Sequence, residues 1–128
     1  MEKRPLVLVV EDDADSLEMF VHALGGAGFQ VDTAVDGVQG AQKAMSLRPE
    51  VIVADLRLPE LDGWAMTRRL KMNARTKDIP VIALSGQYIL QELFERTRAA
   101  GFTSCLLKPC APADLVGAVR AALIPTAP

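Results

Sequence analysis

Apolar residues fall in short runs along the chain, and the stretches between them carry apolar residues at helical spacing. Leu6-Val7-Leu8-Val9-Val10 is continuous and rich in β-branched side chains, the mark of a strand buried on both faces. A helix follows it, with Asp13 or Asp15 as cap and Leu17, Phe20, Val21 and Leu24 on its inner side. Gly25-Gly26 and Gly28 are expected to end it. Phe29 to Val35 reads as a second strand with partial alternation. Asp36-Gly37 makes a turn, and Val38 to Leu47 a short helix stopping before Pro49.

Val51-Ile52-Val53-Ala54 is a third buried run, joined by a loop rich in Pro, Asp and Gly to a helix over Gly63 to Met72. Pro80 to Leu84 is the fourth strand, with proline at its entrance, where little hydrogen bonding is lost. Ile89 to Ala100 reads as a helix stopping at Gly101. Ser104 to Leu107 is the fifth strand, and Pro112 to Leu123 the last helix, with proline in its first turn. Strand and helix alternate five times. Such alternation requires a parallel sheet with helices on both faces, because crossovers are right-handed. The fold class is therefore α/β, one doubly wound (βα)5 domain over residues 1–124. Residues 125–128 are a tail or the start of a linker.

The bulk properties narrow the function. At 128 residues the chain is one ordinary domain, able to bury a core without disulfides or a structural metal. Its apolar runs are far below the roughly 20 residues of a membrane span. Leu6 to Val10 is too short for a signal-peptide core, so a cytoplasmic location is the default. Residues 1–64 hold 12 acidic against 5 basic side chains, and residues 65–128 hold 4 against 9. Arg68, Arg69, Lys71, Arg75 and Lys77 form one local cluster, which reads as the solvated face of a helix or as a partner-docking surface, and not as a nucleic-acid stripe. Cys105 and Cys110, with the single His22, do not make a zinc site and read as small buried thiols.

In an open α/β sheet, ligands bind beyond the carboxyl ends of the strands. Glu11, Asp12 and Asp13 follow strand one, Asp55 strand three, Ser85 strand four, and Lys108-Pro109 strand five. Three or more carboxylates, a hydroxyl and an ammonium are thus expected at one edge. Close carboxylates repel, so one takes a proton or a cation joins them. An all-oxygen site with few protein ligands suits Mg²⁺, which also gathers phosphate oxygens. Asp55 is a plausible nucleophile for an acyl phosphate. Ser85 and Lys108 can hold two phosphoryl oxygens, and Gly86 leaves room for that group to approach the backbone.

Val9 to Asp13, Asp55 to Pro59 with Asp62-Gly63, Ala83 to Gly86, and Leu107 to Pro109 together resemble the response-regulator receiver family of two-component signalling, over about Pro5 to Leu123. The resemblance implies the strand order 2-1-3-4-5 of the chemotaxis-regulator type. It implies that Asp55 accepts a phosphoryl group from the phosphohistidine of a histidine kinase or histidine phosphotransfer protein. It implies Mg²⁺ as cofactor, held by Asp12 and Asp55, by Glu11 through water, and by the backbone carbonyl of Arg57. Ser85, Gly86 and Lys108 form the phosphate-binding and switching group, while Pro59 and Gly63 shape the loop after the acceptor. Such a module transfers a phosphoryl group to itself and loses it again; it is a signalling switch, not an enzyme with a separate substrate. Its partner downstream is a protein effector or a fused output domain, with no nucleic acid or membrane bound directly by this domain.

One position departs from the family pattern. Three residues before the lysine, where an aromatic ring usually moves with the hydroxyl residue, stands Cys105. Tyr88 is a candidate substitute ring, or else a helix-surface side chain, and Cys110 occupies another often aromatic place. Coupling is then expected to run through the loop of Ser85, Gly86 and Gln87. Two other functions compete with the switch. A phosphate-independent interaction module would keep the fold without regulated switching. A Mg²⁺-dependent aspartyl phosphatase typically carries a second acid two residues after its nucleophile, where this chain has Arg57.

Overall fold

The computed structural model describes residues 4–86 and 90–124, with the side chain of Leu90 excepted. The elements are β1 (Leu6–Val10), α1 (Ala14–Gly26), β2 (Gln30–Ala34), α2 (Gly37–Leu47) and β3 (Val51–Asp55). They continue as α3 (Gly63–Lys71), β4 (Val81–Ser85), α4 (Leu90–Ala99), β5 (Ser104–Leu107) and α5 (Pro112–Leu123). All five strands are parallel, in the order β2-β1-β3-β4-β5. This is the doubly wound order that the resemblance implies. Among the described residues no helix is long and apolar enough to cross a membrane.

The continuous apolar runs hide a period of two. Leu8, Val10, Ile52, Ala54, Val81 and Ala83 face a core closed by Ala44, Met66, Leu70 and Leu93 of α2, α3 and α4. Val7, Val9, Val51, Val53, Ile82 and Leu84 face a second core, closed by Phe20 and Leu24 of α1 and Leu115 and Val119 of α5. Each central strand is covered on both sides, so both sets of its side chains are apolar.

Strand ends differ from the apolar runs by single residues, and the backbone ladder explains why. Leu56 N–H donates to Leu84 O at 3.0 Å, and Lys108 N–H donates to Ser85 O at 2.7 Å. Pairing therefore carries β3 to Asp55 and β4 to Ser85, past the last apolar side chain. Pro80 stands before β4, having no N–H to give, while its carbonyl accepts from Ile52 N–H at 3.0 Å.

Caps set the helix ends. Asp13, not Asp15, caps α1, its carboxylate accepting from Ser16 N–H at 2.9 Å. Gly25 and Gly26 are the last two residues of α1. The reversal comes at Gly28, at φ +98°, where Gly28 N–H reaches Gly25 O and Phe29 N–H reaches Leu24 O. Phe29 and Leu24, both buried, give this terminus its apolar contact. Asp36 caps α2 through Gln39 N–H at 2.7 Å, and Asp62 caps α3 through Ala65 N–H at 2.8 Å. Gly37 thus opens a helix as well as following a turn.

Two glycines allow the β3–α3 loop to lie close to its neighbours. A Cβ on Gly63 would fall 2.3 Å from the carbonyl oxygen of Asp55, and one on Gly37 would fall 1.7 Å from that of Leu61. Both atoms are backbone and cannot swing aside.

One polar atom in the core lacks a partner. Thr67 on α3 is fully buried, and its Oγ1 has no hydrogen-bond partner among the described residues. A methyl in its place removes an unmet desolvation cost at nearly constant volume. Thr67→Val is expected to raise stability by about 1 kcal/mol, read as a higher denaturation midpoint with an unchanged slope. A lower midpoint would show that the hydroxyl is satisfied in solution.

Candidate functional site

The carboxyl ends of β1, β3, β4 and β5 meet at one edge of the sheet, bordering a cleft of about 660 Å³. Asp12, Asp55, Leu56, Arg57, Leu58 and Pro59 line one part of it; Asp62, Trp64, Ser85 and Gly86 line the rest. Carboxylate oxygens of Glu11, Asp12 and Asp55 all lie within 4.8 Å of one another. Glu11 is fully buried, Asp55 nearly so, and Asp12 is exposed. Lys108 Nζ donates to the Glu11 carboxylate and, at 2.5 Å, to Asp55 Oδ2.

This is an unbalanced charge set. Burial pushes the Glu11 carboxyl up to about 7, the nearby Asp55 adds to the rise, and the Lys108 ammonium opposes it. Burial pulls Lys108 down, but its hydrogen bonds and charge contacts with Asp55 and Glu11 outweigh that and hold it above its ordinary value. One ammonium faces two buried carboxyl groups and an exposed third. The set has room for more positive charge, and its donors are all hard oxygens, the kind a small divalent cation takes.

The backbone fixes the rest. Arg57 N–H donates to Asp55 Oδ1 at 3.0 Å, which sets the carboxylate orientation, while the Arg57 side chain is exposed. Ser85 is buried at the end of β4, and Gly86 is exposed beside it. Among the described residues, its chain neighbour aside, no atom lies within 4 Å of where a Cβ on Gly86 would sit, so they leave the space in front of it open.

Glu11, Asp12, Asp55, Arg57, Ser85, Gly86 and Lys108 therefore come together. Asp13 does not join them. Its carboxylate is turned to Ser16, whose hydroxyl donates at 2.7 Å, and those two bonds hold its pKa below the ordinary value. Helix capping competes with the site for this acid and wins. Lys71 also leaves the solvated basic cluster, since its Nζ donates to the carbonyls of Lys77 and Ile79 at 3.0 and 2.7 Å. Cys105 is buried in one core and Cys110 in the other, and burial pushes both thiols up. Tyr88 and Gln87 lie outside the described residues.

Sequence spacing does not place Trp64 at the cleft, yet the fold does. Its ring borders the cleft, packs edge-on against Phe102 at 5.5 Å between centroids, and carries the Arg96 guanidinium at 5.2 Å. Trp64 is remote in sequence from Arg96 and Phe102, and no local spacing links it to them.

Comparison with known proteins agrees with this geometry. The sequence model of the response regulator receiver domain matches residues 7–120. The chain belongs to this family. The transcriptional regulatory protein PrrA of Mycobacterium tuberculosis is 39% identical over 93% of this chain and 50% of its own length. The DNA-binding dual master transcriptional regulator RpaA of Synechocystis is 34% identical over 93% of this chain and 49% of its own. The chain thus spans about half the length of the curated relatives it matches. The chemotaxis response regulator CheY4 of Vibrio cholerae superposes with a TM-score of 0.88 at 30% identity, covering 94% of this chain and 100% of that one. The receiver domain of the sensor histidine kinase PA1611 of Pseudomonas aeruginosa gives 0.86 at 28% identity, covering 94% and 98%. As a receiver domain of two-component response regulators, the chain is a signalling module.

The raised Glu11 carboxyl gives a signed stability effect. Its pKa of about 7 in the fold exceeds its ordinary 4.5, so the folded state is favoured while the group is protonated. That contribution is complete below pH 4.5 and is lost as the pH rises through about 7. Metal-free protein should lose on the order of 1–3 kcal/mol of stability across this window, and Glu11→Gln should flatten the loss. Equal pH slopes for parent and variant would refute the Glu11 assignment.

Proposed function

We propose that Asp55 is the phosphoacceptor of this receiver, and that the phosphoryl group comes from a histidine kinase or a histidine phosphotransfer protein. The observation that carries this reading is the meeting of Asp55 with Glu11, Asp12, Ser85 and Lys108 at one edge of the sheet. Asp55 has the acceptor's requirements. Its Oδ1 is held by the Arg57 N–H, its Oδ2 by Lys108, and it opens on the cleft. Attack by a carboxylate oxygen on phosphorus forms an acyl phosphate as the bond to the donor's imidazole nitrogen breaks and the electron pair leaves with the ring.

Phosphoryl transfer is governed by positioning and charge. Lys108 already touches Asp55 and is placed to follow the phosphoryl oxygens once they form. Ser85 supplies a hydroxyl at the neighbouring strand end, and the open space before Gly86 receives the group. Glu11, Asp12, Asp55 and the Arg57 carbonyl are the donors we assign to Mg²⁺. The all-oxygen set with its excess of carboxylates fits that ion. When bound, Mg²⁺ supplies the positive charge that the carboxylates lack and that developing phosphoryl charge needs. The related Pseudomonas receiver domain holds a magnesium ion coordinated in its active-site cleft, which supports the assignment.

Residues 1–124 are the receiver unit in this reading, residues 125–128 a tail or the start of a linker, and the cytoplasm is its compartment. Output passes through protein contacts, to an effector or a fused domain. The retention of Asp55, Ser85 and Lys108 at one edge favours a regulated switch over a phosphate-independent module, and Arg57 in place of a second acid disfavours a phosphatase.

Two measurements test this. Acetyl phosphate with Mg²⁺ should add one phosphoryl group by intact mass, and Asp55→Asn should add none; an unchanged gain in the variant would exclude Asp55. Titration of Mg²⁺, followed through the fluorescence of Trp64, should give an affinity weaker by about tenfold or more in Asp12→Ala. Undiminished binding there would overturn the metal assignment.

A further inference from the structure

Trp64 touches two regions that the rest of the site leaves separate. One side borders the cleft with Asp55 and Ser85. The other meets both the last turns of α4 and Phe102, three residues beyond its end. Arg96 of α4 lies over the ring face at 5.2 Å, and Phe102 meets the ring edge at an interplanar angle of 85°. Phe102 is buried in the core and its N–H donates to Thr97 O at 3.0 Å, closing the end of α4. Arg96 is otherwise exposed and makes no ion pair among the described residues, so the ring is what holds its guanidinium.

We propose that the Arg96–Trp64 contact couples the state of the acceptor site to the position of α4. The proposal rests on Asp55 as the acceptor. Trp64 is fixed to α3, whose first turn is locked against the end of β3 by Gly63 and by the Gly63 N–H to Leu56 O bond at 3.0 Å. The strands β3, β4 and β5 are tied in one ladder, so their ends move little. The element taken to move is α4, which begins at Leu90 and among its described residues buries only Leu93 and Thr97. A phosphoryl group on Asp55 adds nearly two negative charges to the cleft and draws the Ser85 hydroxyl toward its oxygens. A shift of α4 that follows carries Arg96 off a ring that stays behind. The contact therefore belongs to the unmodified arrangement and opposes the change. By linkage, removing it favours whatever occupies the acceptor site.

The size of the effect follows from an exposed cation–π contact, about two- to fivefold in affinity. The test titrates the phosphoryl mimic beryllofluoride with Mg²⁺ by calorimetry into the parent, Arg96→Gln, Trp64→Leu and the double variant. Arg98→Gln, exposed on the same helix, controls for the lost charge. Both single variants should bind the mimic about two- to fivefold more tightly, the double variant no more tightly than either, and Arg98→Gln like the parent. Trp64 is the single tryptophan, so with Mg²⁺ present throughout, the further emission change that the mimic produces in the parent should be largely lost in Arg96→Gln. If Trp64→Leu fails to fold, the affinity and emission of Arg96→Gln still decide. Parent-like affinity in Arg96→Gln, additive gains in the double variant, or an equal gain in Arg98→Gln each overturn the coupling while leaving Asp55 in place. A parent that ignores the mimic overturns the acceptor assignment, and the coupling falls with it.

Discussion

One ammonium shared between buried carboxyl groups is the constraint on which this site depends. Lys108 reaches Glu11 and Asp55 at once, from strand ends that lie on either side of β3 or at its end. Glu11 is fully buried and Asp55 nearly so, so neither carboxyl can be left alone cheaply, and breaking such a set strands a charge. The protein answers by raising the Glu11 carboxyl to about 7 and holding Lys108 above its ordinary value. That state is stable yet short of positive charge, which is what a module needs if it is to take up a cation and then a phosphoryl group. The parallel sheet makes it possible, because only parallel strands bring all their carboxyl ends to one edge.

The two-sided core makes that edge rigid. Alternating positions of β1, β3 and β4 are claimed by separate helical layers, and each strand is fixed by packing from both faces. Gly63 and Gly37 extend this rigidity into the loop that carries Arg57, by letting backbone meet backbone. The first turn of α3 is thereby set directly behind Asp55. The acceptor is held by neighbours that have nowhere to go.

Much of this was legible in sequence because it is local. Apolar runs locate strands, and the residue after each run sits at a known edge, so Asp55, Ser85 and Lys108 could be placed from the chain alone. Strand ends were misjudged by one residue because ladders end by pairing, not by hydropathy: Leu56 N–H finds Leu84 O whatever Asp55 is. Asp13 was grouped with the site because an acid after a strand serves a cluster or a cap equally well, and only Ser16 decides. Gly37 read as a turn because its true demand comes from Leu61, distant in the chain. Trp64, Phe102 and Arg96 were invisible as a group for the same reason.

Cys105 limits where a switch can sit. It pairs with Ala83 within the sheet and is buried among Leu93, Phe102 and Ala83. A buried thiol there is small, neutral and enclosed, with its pKa raised by burial. Interiors at normal packing density do not deform gradually, so a switch needs a group with two distinct places to rest. A thiol among close-packed neighbours has one. A guanidinium resting on a ring at the cleft wall has two, over the ring face or out in solvent. In the coupling proposed above the two states therefore lie outside the core, at the seam between α3 and α4, where Arg96 is exposed and can leave the Trp64 ring while Leu93 keeps α4 on the sheet.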